Sequence, residues 1–366
     1  MSVFERAPDL APPRTSVGLI GWLRSNLFSS WFNTALTILS LWIIWQVVPP
    51  FIDWVFFSST IAGNSREACA AVSGACWTYV KVWFWTFMFG FYPEDERWRV
   101  VLSFAILVSA GAPLFVESFR HKRILGAFLM LGYPLIAYWL FVGGFFGLEL
   151  VPTEDWGGFF LTLVIAGIGI FFSLPIGIVL ALGRRSEMPA VRMLCTVFIE
   201  FWRGIPLIVF LFVASNVFQL FLPQGVTVDK LIRALVAVAL FASAYMAEVV
   251  RGGLQSIPKG QYEAASALGL GYWQSMAQVI LPQALKAVIP GIVNTFIGLF
   301  KDTTLVAIIS LLDLLGRVQQ SFNDPDWGGF AIEGYVFTAF VFFIFCYGMS
   351  RYSQSVERRL GVGDRR

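Results

Sequence analysis

GFFLTLVIAGIGIFFSLPIGIVLALGRR occupies residues 158–185, and its first twenty-five positions carry no charged side chain. As a helix rising about 1.5 Å per residue, such a run is longer than the roughly 30 Å hydrocarbon layer of a bilayer. Arg184 and Arg185 close it, as basic residues close the inner end of a span. Runs of the same kind recur at about 31–48, 98–116, 124–146, 197–217, 231–250, 288–311 and 331–349, which makes eight. The chain as a whole agrees: 57% of its 366 residues are hydrophobic, 13% are charged and the mean hydropathy is +0.73. Ordinary soluble domains hold about 25% charged residues. The reading is an all-α polytopic membrane protein lying in a lipid bilayer. A patch at 77–91 is shorter and has Lys81 in its middle, so it reads as an interfacial or re-entrant element.

The Lys and Arg distribution orients these spans, because cytoplasmic loops hold the excess. With the amino terminus inside, seventeen fall in inner segments, among them Arg6, Arg14, Arg24, Arg120, Lys122, Arg123, Arg184, Arg185, Arg365 and Arg366. Outer segments hold five: Arg66, Lys81, Arg97, Lys230 and Arg317. Both termini are therefore expected in the cytoplasm. The first thirty residues lack the apolar core and cleavage site of a signal peptide and read as a cytoplasmic arm. Three spans with a long outer loop at about 49–97 fill 31–150. Five spans fill 151–350, with an inner loop at about 251–288, and a tail occupies 351–366. The net charge of +3 comes without basic clusters interleaved with stacking aromatics, so nothing points to nucleic acid. Trp31, Trp98, Trp139, Trp156 and Trp327 fall near span ends, where amphipathic rings prefer the interface. Cys69 and Cys76 share the outer loop and can form a disulfide if it faces an oxidising compartment; no metal-type spacing accompanies them. His121, the single histidine, sits in a basic HKR cluster and reads as part of a topology signal.

The inner loop is the most polar stretch. Pro258 can open a helix, QYEAASAL continues it, and Gly269 and Gly271 end it, so one short helix should bend sharply from the next. Ala264, Ala265 and Ala267 offer a close-approach face, and Tyr262, Leu268, Leu270 and Trp273 offer apolar anchors for a partner's groove. Glu263-Ala264-Ala265, then Gly269, then Val279-Ile280-Leu281-Pro282 resembles the EAA loop of importer-type ABC permeases, with Val279 where isoleucine is usual. FWRGIPL at 201–207, AYMAEVVRGGLQSIPKGQYEAA at 244–265 and KDTTLV at 301–306 are similar to permeases of polar and general amino-acid importers, the histidine/glutamine/arginine branch. The three extra spans look most like the M-type permease of general L-amino-acid importers.

That resemblance implies a type I importer core of five helices preceded by three extra ones, in a bacterial inner membrane. It implies ATPase docking at Glu263, Ala264, Ala265, Gly269, Leu281 and Pro282. It also implies an ATP-binding subunit dimer, a second related permease and a periplasmic amino-acid-binding protein as partners, with an L-amino acid as cargo. No Walker A pattern occurs, so ATP and magnesium belong on another chain, and this chain is expected to be no enzyme and to hold no cofactor or metal.

Lys301 and Asp302 lie inside an apolar run, where a lone charge at a span centre costs about 2.5–3.5 kcal/mol and marks a protein interior or aqueous path. They can neutralise one another, or Asp302 can face the path and meet an ammonium group, with Thr303 and Thr304 offering hydroxyls. The resemblance supports Asp302 as a substrate contact. Asn294, or N–H groups freed at a break near Gly298, are candidates for the carboxylate. Glu200 and Arg203, three apart, are expected to form a structural pair. Glu248 and Arg251 should orient the inner loop, and Pro175 and Pro206 can kink spans four and five. Two other classes compete. A secondary transporter coupled through Asp302 requires inverted repeats, yet the first three spans show no counterpart of KDTT. A membrane enzyme requires a catalytic cluster that the sequence does not display.

Overall fold

The computed structural model describes residues 18–70, 72–116 and 118–360. Residues 1–17 of the expected amino-terminal arm and 361–366 of the expected tail lie outside them. The described residues are helical apart from connections and three isolated bridges. Among the described residues, seven helices are long and apolar enough to span a bilayer: α1 (Trp31–Phe57), α3 (Glu94–Phe115), α4 (Lys122–Val142), α5 (Gly158–Arg184), α8 (Lys230–Ser256), α11 (Ile289–Ile309) and α13 (Ala331–Leu360). The eighth is a bent pair, α6 (Pro189–Gly204) and α7 (Leu207–Phe221). Shorter helices include α2 (Trp77–Phe89), α9 (Lys259–Ala267), α10 (Leu281–Ala287) and α12 (Leu314–Ser321).

Two compact units divide between Lys81 and Val82. In the first, Ser30 caps α1 by accepting from the Asn33 N–H at 3.2 Å. α1 passes through Pro49 and Pro50 and ends in a π turn at Asp53–Phe57, where the Asp53 N–H donates to the Pro49 and Pro50 carbonyls. Helix therefore continues beyond residue 48, where the sequence reading ended the span, because the π turn supplies the carbonyls with donors. Cys69 and Cys76 are joined by a disulfide with Cα atoms 5.4 Å apart. Lys81 donates to the Gly63 carbonyl at 3.1 Å. α2, at 13 residues or about 20 Å, is too short to span.

In the second unit, α5 and α8 form the central pair. Small residues permit it: Ala166, Gly169, Gly177 and Ala181 are buried on α5, and α8 buries a series of alanines and Ser243. A Cβ on Gly177 would lie 2.8 Å from the Met246 Cβ, and one on Gly169 would lie 2.6 Å from Leu299. Around this pair one apolar cluster joins Val100 of α3 and Leu140 and Phe141 of α4 to Phe160 and Leu161 of α5. α3 and α4 thus share the core of the helices that follow. Beyond α11, the Leu314 N–H donates to Thr162 at 3.2 Å and the Gly158 N–H to the Leu312 carbonyl at 2.9 Å, pinning the start of α12 to the start of α5.

Span five corrects the sequence reading. One span at 197–217 that Pro206 could kink was expected; the helix begins earlier, at Pro189, and α6 and α7 meet at 98°. Pro206 disfavours helical geometry at Ile205, which is extended at φ −119° and ψ 135°. α6 is amphipathic and sends Glu200 and Arg203 toward the ends of α5 and α8.

Candidate coupling and translocation site

α8 ends where Ile257 turns extended ahead of Pro258, and α9 begins at the next residue. Gly269 terminates it at φ +74°, a left-handed conformation that glycine adopts without penalty. Gly271 then caps a new turn, its N–H donating to Gln274 at 3.2 Å. The chain continues through a π turn at Met276–Ile280 into α10. Ile280 and Ala284 are fully buried and pack with Met246, Val250 and Leu254 of α8. Tyr262 donates to the Leu254 carbonyl at 3.2 Å and accepts from Arg185 at the same distance. Gln283 reaches Gln261 at 3.0 Å. The Val279–Pro282 segment therefore braces α9 from behind.

What α9 leaves free follows from its rotation. Ala265 is 1% exposed, whereas Glu263, Ala264, Ala267 and Gly269 are exposed. The expected face of three alanines is corrected: Ala264 and Ala265 are separated by about 100° and cannot both face outward. Leu268 and Trp273, 78% and 72% exposed, supply the apolar part of the free surface. Leu281 is half-buried and Pro282 exposed.

Five charges gather beside this loop. Arg184 of α5 donates to Glu248 and to Glu200, each at 2.8 Å. Arg251 reaches Glu248 at 2.7 Å, and Arg203 lies 3.8 Å from it and over the Tyr245 ring at 5.5 Å. Glu200 and Arg203 thus take partners from other helices, which corrects the expected pair: Arg184 and Glu248, brought alongside by α5–α8 packing, compete for both. The hub, Arg184, was read in the sequence only as a topology signal. Its partners are 16 and 64 residues away, so no local pattern could have marked it.

The residues expected to meet substrate divide. α-Helical geometry in α11 ends at Asp302, and a 3₁₀ segment covers Thr303–Ile309. The break is thus at Asp302 and not near Gly298, which lies inside the continuous α helix. Asp302 is half-buried and Lys301 exposed. A helix C-terminus carries partial negative charge, so Asp302 stands where a cation is favoured. Thr303 is 1% exposed and donates to the Phe300 carbonyl at 2.8 Å; Thr304 donates to the Lys301 carbonyl at 2.9 Å. Their hydroxyl protons are committed to their own helix. Asn294 is exposed, eight residues before Asp302, hence about 12 Å along the helix and 80° around it. The two do not converge on one small molecule within this chain. Among the described residues no group of three His, Cys, Asp or Glu side chains is placed to hold a metal.

Residues 173–362 match the family described as the binding-protein-dependent transport system inner membrane component. The inner membrane amino-acid ABC transporter permease protein YhdY of Escherichia coli K12 is 54% identical, the alignment covering 96% of this chain and 97% of that one. The glutamate/glutamine/aspartate/asparagine transport system permease protein BztC of Rhodobacter capsulatus is 40% identical over 98% of both. A crystal structure of an amino acid ABC transporter with histidines covers 54% of this chain and 90% of that chain, at 29% identity and a TM-score of 0.48. The family match spans more than half of the sequence and takes in the braced α9, the five-charge cluster and α11. This chain belongs to the binding-protein-dependent transport system inner membrane component family, and it is a transport subunit of the inner membrane that crosses it many times.

Proposed function

We propose that the chain is the permease through which an ATP-driven importer moves L-amino acids from periplasm to cytoplasm. The observation that carries the coupling is the free face of α9, where exposed Glu263, Leu268 and Trp273 stand on a helix braced from behind. Membership of the family implies a substrate-binding protein and an ATP-binding subunit. In the finer reading, two ATP-binding subunits supply the nucleotide and magnesium chemistry, one engaging α9, and a second, related permease covers the exposed side of α11. Both termini then lie in the cytoplasm with α9. When the ATPase pair closes, the load on α9 passes through Tyr262, Ile280 and Ala284 into α8, and through the charge cluster into α5 and α6.

The relatives' names favour polar cargo: YhdY is named for amino acids and BztC for glutamate, glutamine, aspartate and asparagine. In this reading Asp302 receives the ammonium group. The carboxylate is met elsewhere, since Asn294 is too far away and Thr303 is buried. Complexes carrying Glu263→Ala or Gly269→Trp, reconstituted with their partners, should lose most substrate-stimulated ATP hydrolysis; unchanged stimulation and uptake would remove α9 from the coupling route. Asp302→Ala should assemble and hydrolyse ATP yet fail to accumulate substrate, and normal uptake would remove Asp302 from the path.

A further inference from the structure

Lys301 and Asp302 are the two charges that α11 carries within its span, and neither forms an ion pair with another described residue. They do not neutralise one another, because consecutive helical side chains diverge by about 100° and do not face each other. Lys301 follows Ile289 by twelve residues and so stands about 18 Å into α11, while beyond Asp302 the 3₁₀ segment Thr303–Ile309 rises by about 2 Å per residue. A four-carbon stem at that depth reaches neither interface, so the ammonium group has to face protein or water.

The surface beside it is open. Lys301 is exposed, and so is Asn294, seven residues earlier, about 10 Å along the helix and within about 20° of the same face. A face turned to lipid would be penalised for holding both polar groups at this depth. Between them lies Gly298, where a Cβ would meet no atom within 4 Å. Long side chains of a helix lean back over the preceding turn, which carries the Lys301 ammonium toward Gly298. Half-buried Asp302 flanks this strip, its Cα about 3.8 Å from that of Lys301. A lone cation would suit Asp302 and be repelled by Lys301, and a lone anion would meet the reverse. An α-amino acid carries both signs on groups bonded to one carbon, and so matches opposite charges on consecutive residues.

We propose that Lys301 receives the α-carboxylate of the transported amino acid over the gap at Gly298, while Asp302 holds its ammonium group. The proposal rests on the importer reading, in which the second permease faces this strip across the path and the amino acid arrives from the binding protein. It supplies the carboxylate contact that Asn294 and Thr303 do not. The test uses the complete complex in proteoliposomes, with its binding protein loaded from a radiolabelled mixture of common L-amino acids. ATP-driven accumulation by the parent decides the importer reading by itself. With that in hand, Lys301→Met and Gly298→Leu should assemble, and the amount imported per ATP hydrolysed should fall at least tenfold in each. Lys301→Arg, which keeps the charge, should retain at least a third of the parental ratio. An unchanged ratio in Lys301→Met or in Gly298→Leu overturns the proposal, since the strip would then face lipid. Equal losses in Lys301→Arg and Lys301→Met overturn it too, because shape and not charge would matter. So does a complex that falls apart in Lys301→Met or Gly298→Leu, which would make the strip a packing surface for the second permease.

Discussion

Replacing Glu248 by glutamine tests the charge cluster that ties α5, α6 and α8 together. Glu248 accepts from Arg184 at 2.8 Å and from Arg251 at 2.7 Å, with Arg203 at 3.8 Å. Glutamine keeps the shape and leaves three guanidiniums facing one carboxylate, that of Glu200. Losing one partner of a fully buried pair costs about 3–5 kcal/mol. The arginine side chains here are 24–35% exposed and Glu248 is 17% exposed, so the cost falls between that and the roughly 0–1 kcal/mol of a surface pair. About 2 kcal/mol is expected, a change of about 30-fold in an unfolding equilibrium constant. The assay is SDS-induced unfolding in mixed micelles, followed by tryptophan fluorescence. Two controls separate charge from packing. Adding Arg184→Gln to Glu248→Gln removes one surplus cation and should recover at least half of the loss. Raising salt to about 1 M, where the screening length is about 3 Å, should narrow the gap between single variant and parent. A Glu248→Gln protein as stable as the parent, or a double variant that loses the sum of both single costs at every salt concentration, would refute the reasoning.

Gly177→Leu should abolish assembly, because even the first carbon of the new side chain would stand 2.8 Å from the Met246 Cβ; Gly177→Ala should cost about 1–3 kcal/mol, read as reduced yield and earlier SDS unfolding. Asp313 is fully buried and its carboxyl is pushed up to about 6 by desolvation, against hydrogen bonds from backbone N–H groups and Thr162. The folded state therefore holds this proton more tightly than the unfolded chain, and the contribution of Asp313 to stability falls as pH rises from about 4 to about 6. Asp313→Asn, which keeps the cap on α12, should flatten that slope and match or exceed the parent at pH 7; an unchanged pH profile would show that Asp313 does not set it. Closing the Cys69–Cys76 ring, a sequence separation of 7, should contribute about 2–3 kcal/mol, so the double alanine variant should unfold at lower SDS, and the parent should shift equally on reduction.

Some of this was legible residue by residue. Each apolar run declares a span through its length alone, and the structure places a spanning helix or the bent pair at each of the eight. Pro258 and Gly269 mark the ends of α9 because each acts on its own backbone dihedrals. The pairing of Glu200 with Arg203 was misjudged, since spacing on one helix says nothing of Arg184 or Glu248 on two others. Thr303 looked available as a hydroxyl in an apolar run, yet it donates back to Phe300 and faces the core.

Chain order by itself determined the membrane class, the run of apolar spans and the place of the short helix α9, because these follow from local hydrophobic length and from proline and glycine geometry. Folding alone decided that Ala265 turns inward, that α3 and α4 join one core with α5, that Arg184 gathers two glutamates, and that Arg317 and Glu154 border one cavity. Those outcomes depend on which helices lie side by side, and side-by-side packing brings together residues tens to more than a hundred positions apart, whose meeting no neighbourhood in the sequence encodes.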